Sequence, residues 1–266
     1  MILVSKRFFL FFLIFISCSQ NNIQQYAIYG HTQGTTYVVK YNHTDNVIQK
    51  KSIDSLLHNI DLSMSSYIEN SLISFINQGD DVVLDSLITQ VLNRAIAICN
   101  ETNGMFDITV APLVDYWGFG PEKIRRYPEK IDVSFDVIGC DKIVIKNKKL
   151  IKSDSVSIDL NGIAQGFTVD YLSQYLFDNN INDFMVEVGG EIYCADDNLG
   201  AGWKIGIDEP TDLKRDFSFI LNLKNVALAT SGSYRNYYYD DSLKISHTIN
   251  PKTFRPARNE LISTTI

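Results

Sequence analysis

The stretch Ser157-Ile158-Asp159-Leu160-Asn161-Gly162-Ile163-Ala164-Gln165-Gly166 sets a carboxylate and two glycines directly after an apolar run, where a helical pattern begins. A phosphate-bearing ligand needs that layout. Glycines let the backbone come close, the first turn of a helix presents unpaired N–H groups, and a nearby acid reaches a ribose or a metal ion. A strand, a Gly-containing turn and a helix also join up in many proteins that bind nothing there, so both readings stand on this stretch alone. The second reactive residue type is His247, in Ser246-His247-Thr248-Ile249-Asn250-Pro251. A neutral imidazole accepts a hydroxyl proton near neutral pH, although a lone histidine is also an ordinary polar strand residue. His31, His43 and His58 lie in the N-terminal part and share no ligand-like spacing.

These groups need elements to hold them. Thr35 to Tyr41 has strand composition after Gly34, and Ile53, Leu56, Leu57 and Ile60 recur at helical spacing. A second helix is predicted from Ser86 to about Cys99, with Asp85 as N-cap and Asn103-Gly104 ending it. Pro121 to Asp136 is charged and proline-interrupted, as a surface excursion would be. Lys142–Lys146 and Lys149–Lys152 form a predicted hairpin about Asn147-Lys148, and the helix opened by the glycine turn runs to about Asp178 with Val169, Leu172 and Leu176 on one face. Strands are predicted at Phe184–Val188, Trp203–Ile207, Phe217–Leu223, Val226–Thr230, Ile245–Ile249 and Leu261–Ile266. Helices early and strands late, without regular βαβ alternation, give an α+β fold of mixed helices and antiparallel sheet. No repeat or low-complexity tract marks an internal domain boundary.

The chain has 266 residues, 45% apolar and 21% charged, enough for a substantial core in an ordinary globular protein. Its formal charge is −7, and an acidic body argues against a nucleic-acid partner held through phosphates. Lys6-Arg7 followed by the apolar run Phe8 to Ile16 has the form of an export leader too short to span a bilayer. Phe15-Ile16-Ser17-Cys18 resembles a lipoprotein box, so residues 1–17 are expected to be a signal peptide, Cys18 a lipidated membrane anchor and 18–25 a polar tether. A plain secretory peptide cleaved nearby is the alternative. Cys99, Cys140 and Cys194 are an odd, widely spaced set that gives neither a disulfide framework nor a metal motif, and they are expected to be small core residues.

Seven short motifs occur in order: Gln33-Gly34-Thr35-Thr36-Tyr37, Ser63-Met64-Ser65-Ser66-Tyr67, Thr102 to Leu113, the turn with Asp159 and Gly162, Glu187-Val188-Gly189-Gly190-Glu191, Ala229 to Arg235, and Ser246 to Pro251. Their order and spacing resemble the ApbE family, the FAD:protein FMN transferases, many of which are exported bacterial lipoproteins. The resemblance runs from about Gly34 to Ile266. It implies a T-fold-like α+β domain, here from residue 26 to 266, that binds FAD as substrate, cleaves its pyrophosphate with Mg²⁺ and transfers FMN to a Thr or Ser hydroxyl of an acceptor protein. That chemistry needs neutralisation of the diphosphate, removal of the hydroxyl proton and in-line placement.

By the same resemblance, Tyr67 stacks on the isoalloxazine, Met105, Phe106 and Asp107 form the flavin-contacting turn, and Asp159 contacts FAD. The carbonyl of Gly162 is a metal ligand and His247 is the catalytic base. Gln165 stands in the phosphate-binding region where the family usually carries Lys, which exchanges a charge for a neutral amide. Gln33 replaces a common Met. The family's other metal ligands, an Asp and a Thr, come from a segment beyond the strand matching Ser263 to Ile266. The sequence stops at Ile266, which leaves a fragment, a truncated product or a lost metal site as alternatives; a true stop there would favour the flavin-binding reading and an uncovered sheet edge. Three other functions are weighed. Water as acceptor gives an FAD pyrophosphatase. Little catalysis gives a flavin-binding lipoprotein. A serine hydrolase is disfavoured because Ser231 lies in no G-x-S-x-G elbow.

Overall fold

A computed structural model describes residues 22–121, 135–211, 217–258 and 260–266. The expected leader and Cys18, with most of the Pro121–Asp136 excursion, lie outside the described residues. Two strands open the described chain, β1 (Gln24–Thr32) and β2 (Thr35–His43), joined at Gln33-Gly34. Both turn residues have positive φ, 50° and 71°, the backbone that a two-residue antiparallel hairpin requires. Gln24 and Gln25, expected in the tether, already pair with His43 and Asn42.

Helices follow: α1 (Lys50–Met64), α2 (Leu72–Gln78), α3 (Ser86–Glu101) and α4 (Ala111–Tyr116). Asp85 caps α3 as expected, its Oδ1 accepting from the Ile88 N–H at 2.8 Å, while the Ser63 hydroxyl donates to the same oxygen at 3.1 Å. The hairpin β3 (Val144–Lys146) and β4 (Lys149–Ile151) turns at Asn147-Lys148, both with positive φ. Next come α5 (Asn161–Asp178), β5 (Phe184–Val188) and β6 (Glu191–Ala195). The rest is strand: β7 (Trp203–Asp208), β8 (Phe217–Leu223), β9 (Val226–Leu228), β10 (Thr230–Gly232), β11 (Tyr237–Asp240), β12 (Leu243–Ser246), β13 (Ile249–Asn250), β14 (Arg255–Pro256) and β15 (Ser263–Thr265).

One sheet in the order β1-β2-β5-β6-β9, antiparallel throughout, carries the fold. Alternation along β2 sends Tyr37, Val39 and Tyr41 to one face, where they join Phe184, Val186 and Val188 of β5. That face is covered by Ile53 and Leu57 of α1 and by Val169, Leu172 and Leu176 of α5. Cutting a side chain such as Leu172 back to alanine costs about 2–5 kcal/mol, so α5 is fixed on the sheet along its length. A second core lies away from the sheet, where Ile60 and Met64 of α1 meet α2, α3 and the run Val156, Ile158 and Leu160. The opposite sheet face packs Met185, Ile192 and Cys194 against Trp203, Ile205 and Leu228.

The remaining strands form two-stranded ribbons: β10–β15, β11–β12, β13–β14, β3–β4 and β7–β8. Two predicted strands are broken. Val226–Thr230 divides at Ala229 between the sheet and the β10–β15 ribbon, and Ile245–Ile249 divides at His247-Thr248.

The cysteines depart from the expectation. Cys99 and Cys140 form a disulfide between the end of α3 and a 3-10 turn at Cys140–Lys142. Only Cys194 matches the reading as a buried core thiol. The pairing arises because the segment after residue 135 returns across the α3 C-terminus, a contact that spacing along the chain does not reveal.

Candidate functional site

A cleft of about 2060 Å³ opens between the helices and the late strands. Its size suits a dinucleotide better than a small metabolite. All eight residues singled out from the sequence, Tyr67, Met105, Phe106, Asp107, Asp159, Gly162, Gln165 and His247, line it.

The helical wall is built around the glycine turn. Residue Ile158 is held on both backbone polar groups by the Asn77 side chain of α2, at 2.9 and 2.8 Å. One residue on, the Asp159 N–H donates to the Ile108 carbonyl at 2.7 Å, which joins this turn to the Met105–Asp107 turn. The Asp159 carboxylate accepts from the Asn161 N–H at 2.7 Å and from its side-chain amide at 3.2 Å. Burial pushes the Asp159 carboxyl above the ordinary carboxylate range, and the Asn161 hydrogen bonds oppose the shift. Leu160 offers no capping side chain to α5, but the Asn161 N–H is taken by Asp159 and the Ile163 N–H by the Leu160 carbonyl at 3.0 Å, so of the first turn the Gly162 N–H is the group left for an anion.

Tyr67 stands at the rim, 56% exposed, with its hydroxyl meeting the Asn161 side chain. Burial and then the Asp159 charge push its phenol pKa up. Phe106 lies beneath, so close to α5 that a Cβ on Gly162 would sit 3.3 Å from its ring. Met105 is exposed beside it. Asp107 is different: it is only 7% exposed, and its Oδ1 accepts from the N–H and hydroxyl of Thr109 at 2.8 and 2.7 Å. Its carboxylate caps the following 3-10 turn. Gln165 packs its amide on the β5–β6 turn, where a Cβ on Gly189, at φ +63°, would lie 2.7 Å from Nε2.

The strand wall carries His247. Its N–H and its Nδ1 both meet the Asn236 carbonyl, at 3.2 and 3.1 Å. A carbonyl only accepts, so Nδ1 bears a proton, and in the neutral ring the lone pair then falls on Nε2, the tautomer a general base needs. Phe119 supports the ring edge-on, with centroids 6.3 Å apart.

Charge in the cleft is mostly negative. Among the described residues that line it there is no lysine, and its two arginines are paired, Arg94 with Glu101 and Arg235 with Asp208. Glu187, Glu191, Asp61 and Asp170 also face it, each with its carboxyl pushed up by burial. Asn161 and the Arg235–Asp208 pair had no role assigned from the sequence; Asn161 was legible only as the residue between Asp159 and Gly162. For a metal, the assigned donor is the Gly162 carbonyl. Among the described residues the one cluster of potential ligands is Cys99, Asp107 and Cys140, whose sulfurs are already bonded to each other.

Comparison with known proteins gives a consistent picture. The family model described as "ApbE family" matches residues 33–266. An FAD:protein FMN transferase from Vibrio cholerae is 34% identical over 96% of this chain and 80% of its own length. One from Haemophilus influenzae is 33% identical over 94% of this chain and 78% of its own. Among solved structures, the flavin transferase ApbE from Vibrio cholerae superposes with a TM-score of 0.78 at 32% identity, covering 92% of this chain and 82% of that one. The apo flavinyl transferase ApbE of Pseudomonas stutzeri gives 0.80 at 28% identity, over 91% and 79%.

Proposed function

The chain belongs to the ApbE family, and from that premise we propose that it transfers FMN from FAD to a Thr or Ser hydroxyl of an acceptor protein. The observation that carries the proposal is one cleft with Tyr67, Phe106 and Met105 on one wall and, on the other, His247 with its Nδ1 turned to the Asn236 carbonyl. In this reading the ring system lies at Tyr67, whose flat face suits an aromatic partner. The diphosphate lies against the turn from Asp159 to Gly162, met by the Gly162 N–H and the Gln165 amide.

Nε2 of His247 takes the proton from the acceptor hydroxyl. The hydroxyl oxygen forms a bond to the phosphorus on the riboflavin side, the bond to the bridging oxygen breaks, and AMP leaves. Placement in line supplies much of the rate, and proton removal about 10²–10⁴-fold more. The family resemblance adds Mg²⁺, which shields diphosphate charge when bound. Mg²⁺ takes near-octahedral oxygen ligation, and the described residues bring no group of three His, Cys, Asp or Glu side chains to the Gly162 carbonyl. They do not build that site by themselves, and no step here runs through the ion.

The acceptor is proposed to be an exported or membrane redox protein, with the transferase itself held at the membrane by lipidated Cys18 and facing the periplasm. Among the described residues no helix is long and apolar enough to cross a membrane. Incubation with FAD and a candidate acceptor, with Mg²⁺ or with EDTA, tests the reaction. Acceptor mass increased by FMN with AMP released supports transfer. AMP and free FMN with an unmodified acceptor mean that water is the acceptor, and intact bound FAD means a binding protein. Loss of lipid labelling in Cys18→Ser checks the anchor.

A further inference from the structure

The disulfide lies beside the flavin-contacting turn, and the hydrogen bonds around it show what it holds. On the α3 side, the Cys99 carbonyl accepts from the Gly104 N–H at 2.7 Å, and the Thr102 hydroxyl accepts from the Phe106 N–H at 3.1 Å. On the other side, Gly139, next to Cys140, donates its N–H to the Thr109 hydroxyl at 2.7 Å, and that hydroxyl donates on to Asp107 Oδ1 at 2.7 Å. Potential ligand atoms of Cys99, Cys140 and Asp107 lie within 4.8 Å of one another. The turn from Gly104 to Thr109 is thus gripped by two segments 41 residues apart in the chain, and the disulfide fastens those segments to each other.

We propose that Cys99 and Cys140 are a positioning pair for FAD: the bridge holds the Met105–Asp107 turn in its binding shape, and the affinity for FAD depends on whether the bridge is closed. Opening it frees the Gly139 segment, removes the donor to Thr109 and leaves Asp107 to cap the turn unaided. A ligand must then order the turn itself, at a cost to affinity. Closing the bridge is a two-electron oxidation. Two thiols give up two electrons and two protons to an acceptor disulfide, small or protein-borne, which leaves as two thiols. A chain with its thiols reduced binds FAD weakly, and passage into an oxidising compartment makes it competent. This inference rests on the reading of the cleft as an FAD site.

FAD titration of the oxidised and the phosphine-reduced protein tests it, with thiols counted by alkylation and mass spectrometry. Reduction is expected to raise the dissociation constant about tenfold, the worth of one or two good hydrogen bonds, while AMP release at saturating FAD is unchanged. Cys99→Ala with Cys140→Ala should match the reduced protein in non-reducing buffer. Thr109→Val, which cuts the relay and leaves the bridge, should weaken FAD to a similar degree, and reduction should then add little. Equal affinity in both redox states overturns the inference, as does a Thr109→Val loss that simply adds to the loss on reduction. Weakened binding that coincides with global unfolding by circular dichroism also overturns it, since the bridge then serves stability alone. Absence of FAD uptake by the oxidised protein overturns the functional reading and this inference with it.

Discussion

On the helical wall of the cleft the chain is tied wherever it turns. Asn77 holds Ile158, Asp159 holds Ile108, Thr109 joins Asp107 to Gly139, and a disulfide closes the far side. On the strand wall, β10 to β14 are ribbons of two to four residues, and His247 rests on the single carbonyl of Asn236 at a break between strands. Under the proposed function the difference separates two tasks. Placing a large planar ligand demands a surface already ordered before it arrives, because every group ordered on binding lowers affinity. Moving a proton demands one imidazole in one tautomer with room to approach its partner. In the proposed reading, one wall is broad and heavily cross-linked by hydrogen bonds, and the other presents a single imidazole.

The sharpest way to break this division is His247→Ala. AMP release should fall about 10³-fold with FAD affinity changed by no more than about twofold, read by quenched flow and by fluorescence titration. An equal loss of affinity would make the strand wall a binding wall too. On the helical side, Tyr67→Ala should weaken FAD about tenfold while Tyr67→Phe keeps most of the binding, with turnover at saturating FAD unchanged in both. Gln165→Lys should tighten FAD about threefold in a cleft that, among the described residues, has no unpaired lysine or arginine, an effect that shrinks as salt rises. The smallest effect concerns stability. Burial holds the Asp159 carboxyl above its ordinary 3.8, so the folded state retains that proton longer than the unfolded chain, and its contribution to stability is lost as pH rises through the raised value. Asp159→Asn removes this loss: its thermal midpoint should exceed that of the wild type by about 2 °C at neutral pH and converge with it near pH 4.

Local chemistry made much of this legible. Asp85 had to cap a helix, Asn147-Lys148 had to turn a hairpin, and the apolar stripe of α5 had to face a sheet; each depends on residues within one or two turns of itself. Helix α2 escaped because seven residues give too few repeats for a period to show, although Ser71 and Gly79 mark its two ends. Strand β1 escaped because it is an edge strand with five of its nine residues exposed, so its alternation is faint. The breaks at Ala229 and His247 fall where the chain changes pairing partner, from β6 to β15 and from β11 to β14, which no window of sequence contains. In the site, the resemblance placed all eight residues around one cleft, but it could not tell that the Asp107 carboxylate is engaged within its own turn. The Cys99–Cys140 pairing is the plainest case of a contact decided by tertiary structure.

Cys194 has a separate consequence for anyone who wants to watch this molecule open. Its thiol is fully buried, and burial pushes its pKa up to about 12, so at pH 7 only about one molecule in 10⁵ carries the reactive thiolate. While the sheet is intact this sulfur is silent toward alkylating reagents, and the moment the central strands separate it becomes an ordinary thiol. The protein therefore carries its own reporter of whole-domain opening, readable by pulse labelling without an added dye or a single engineered substitution.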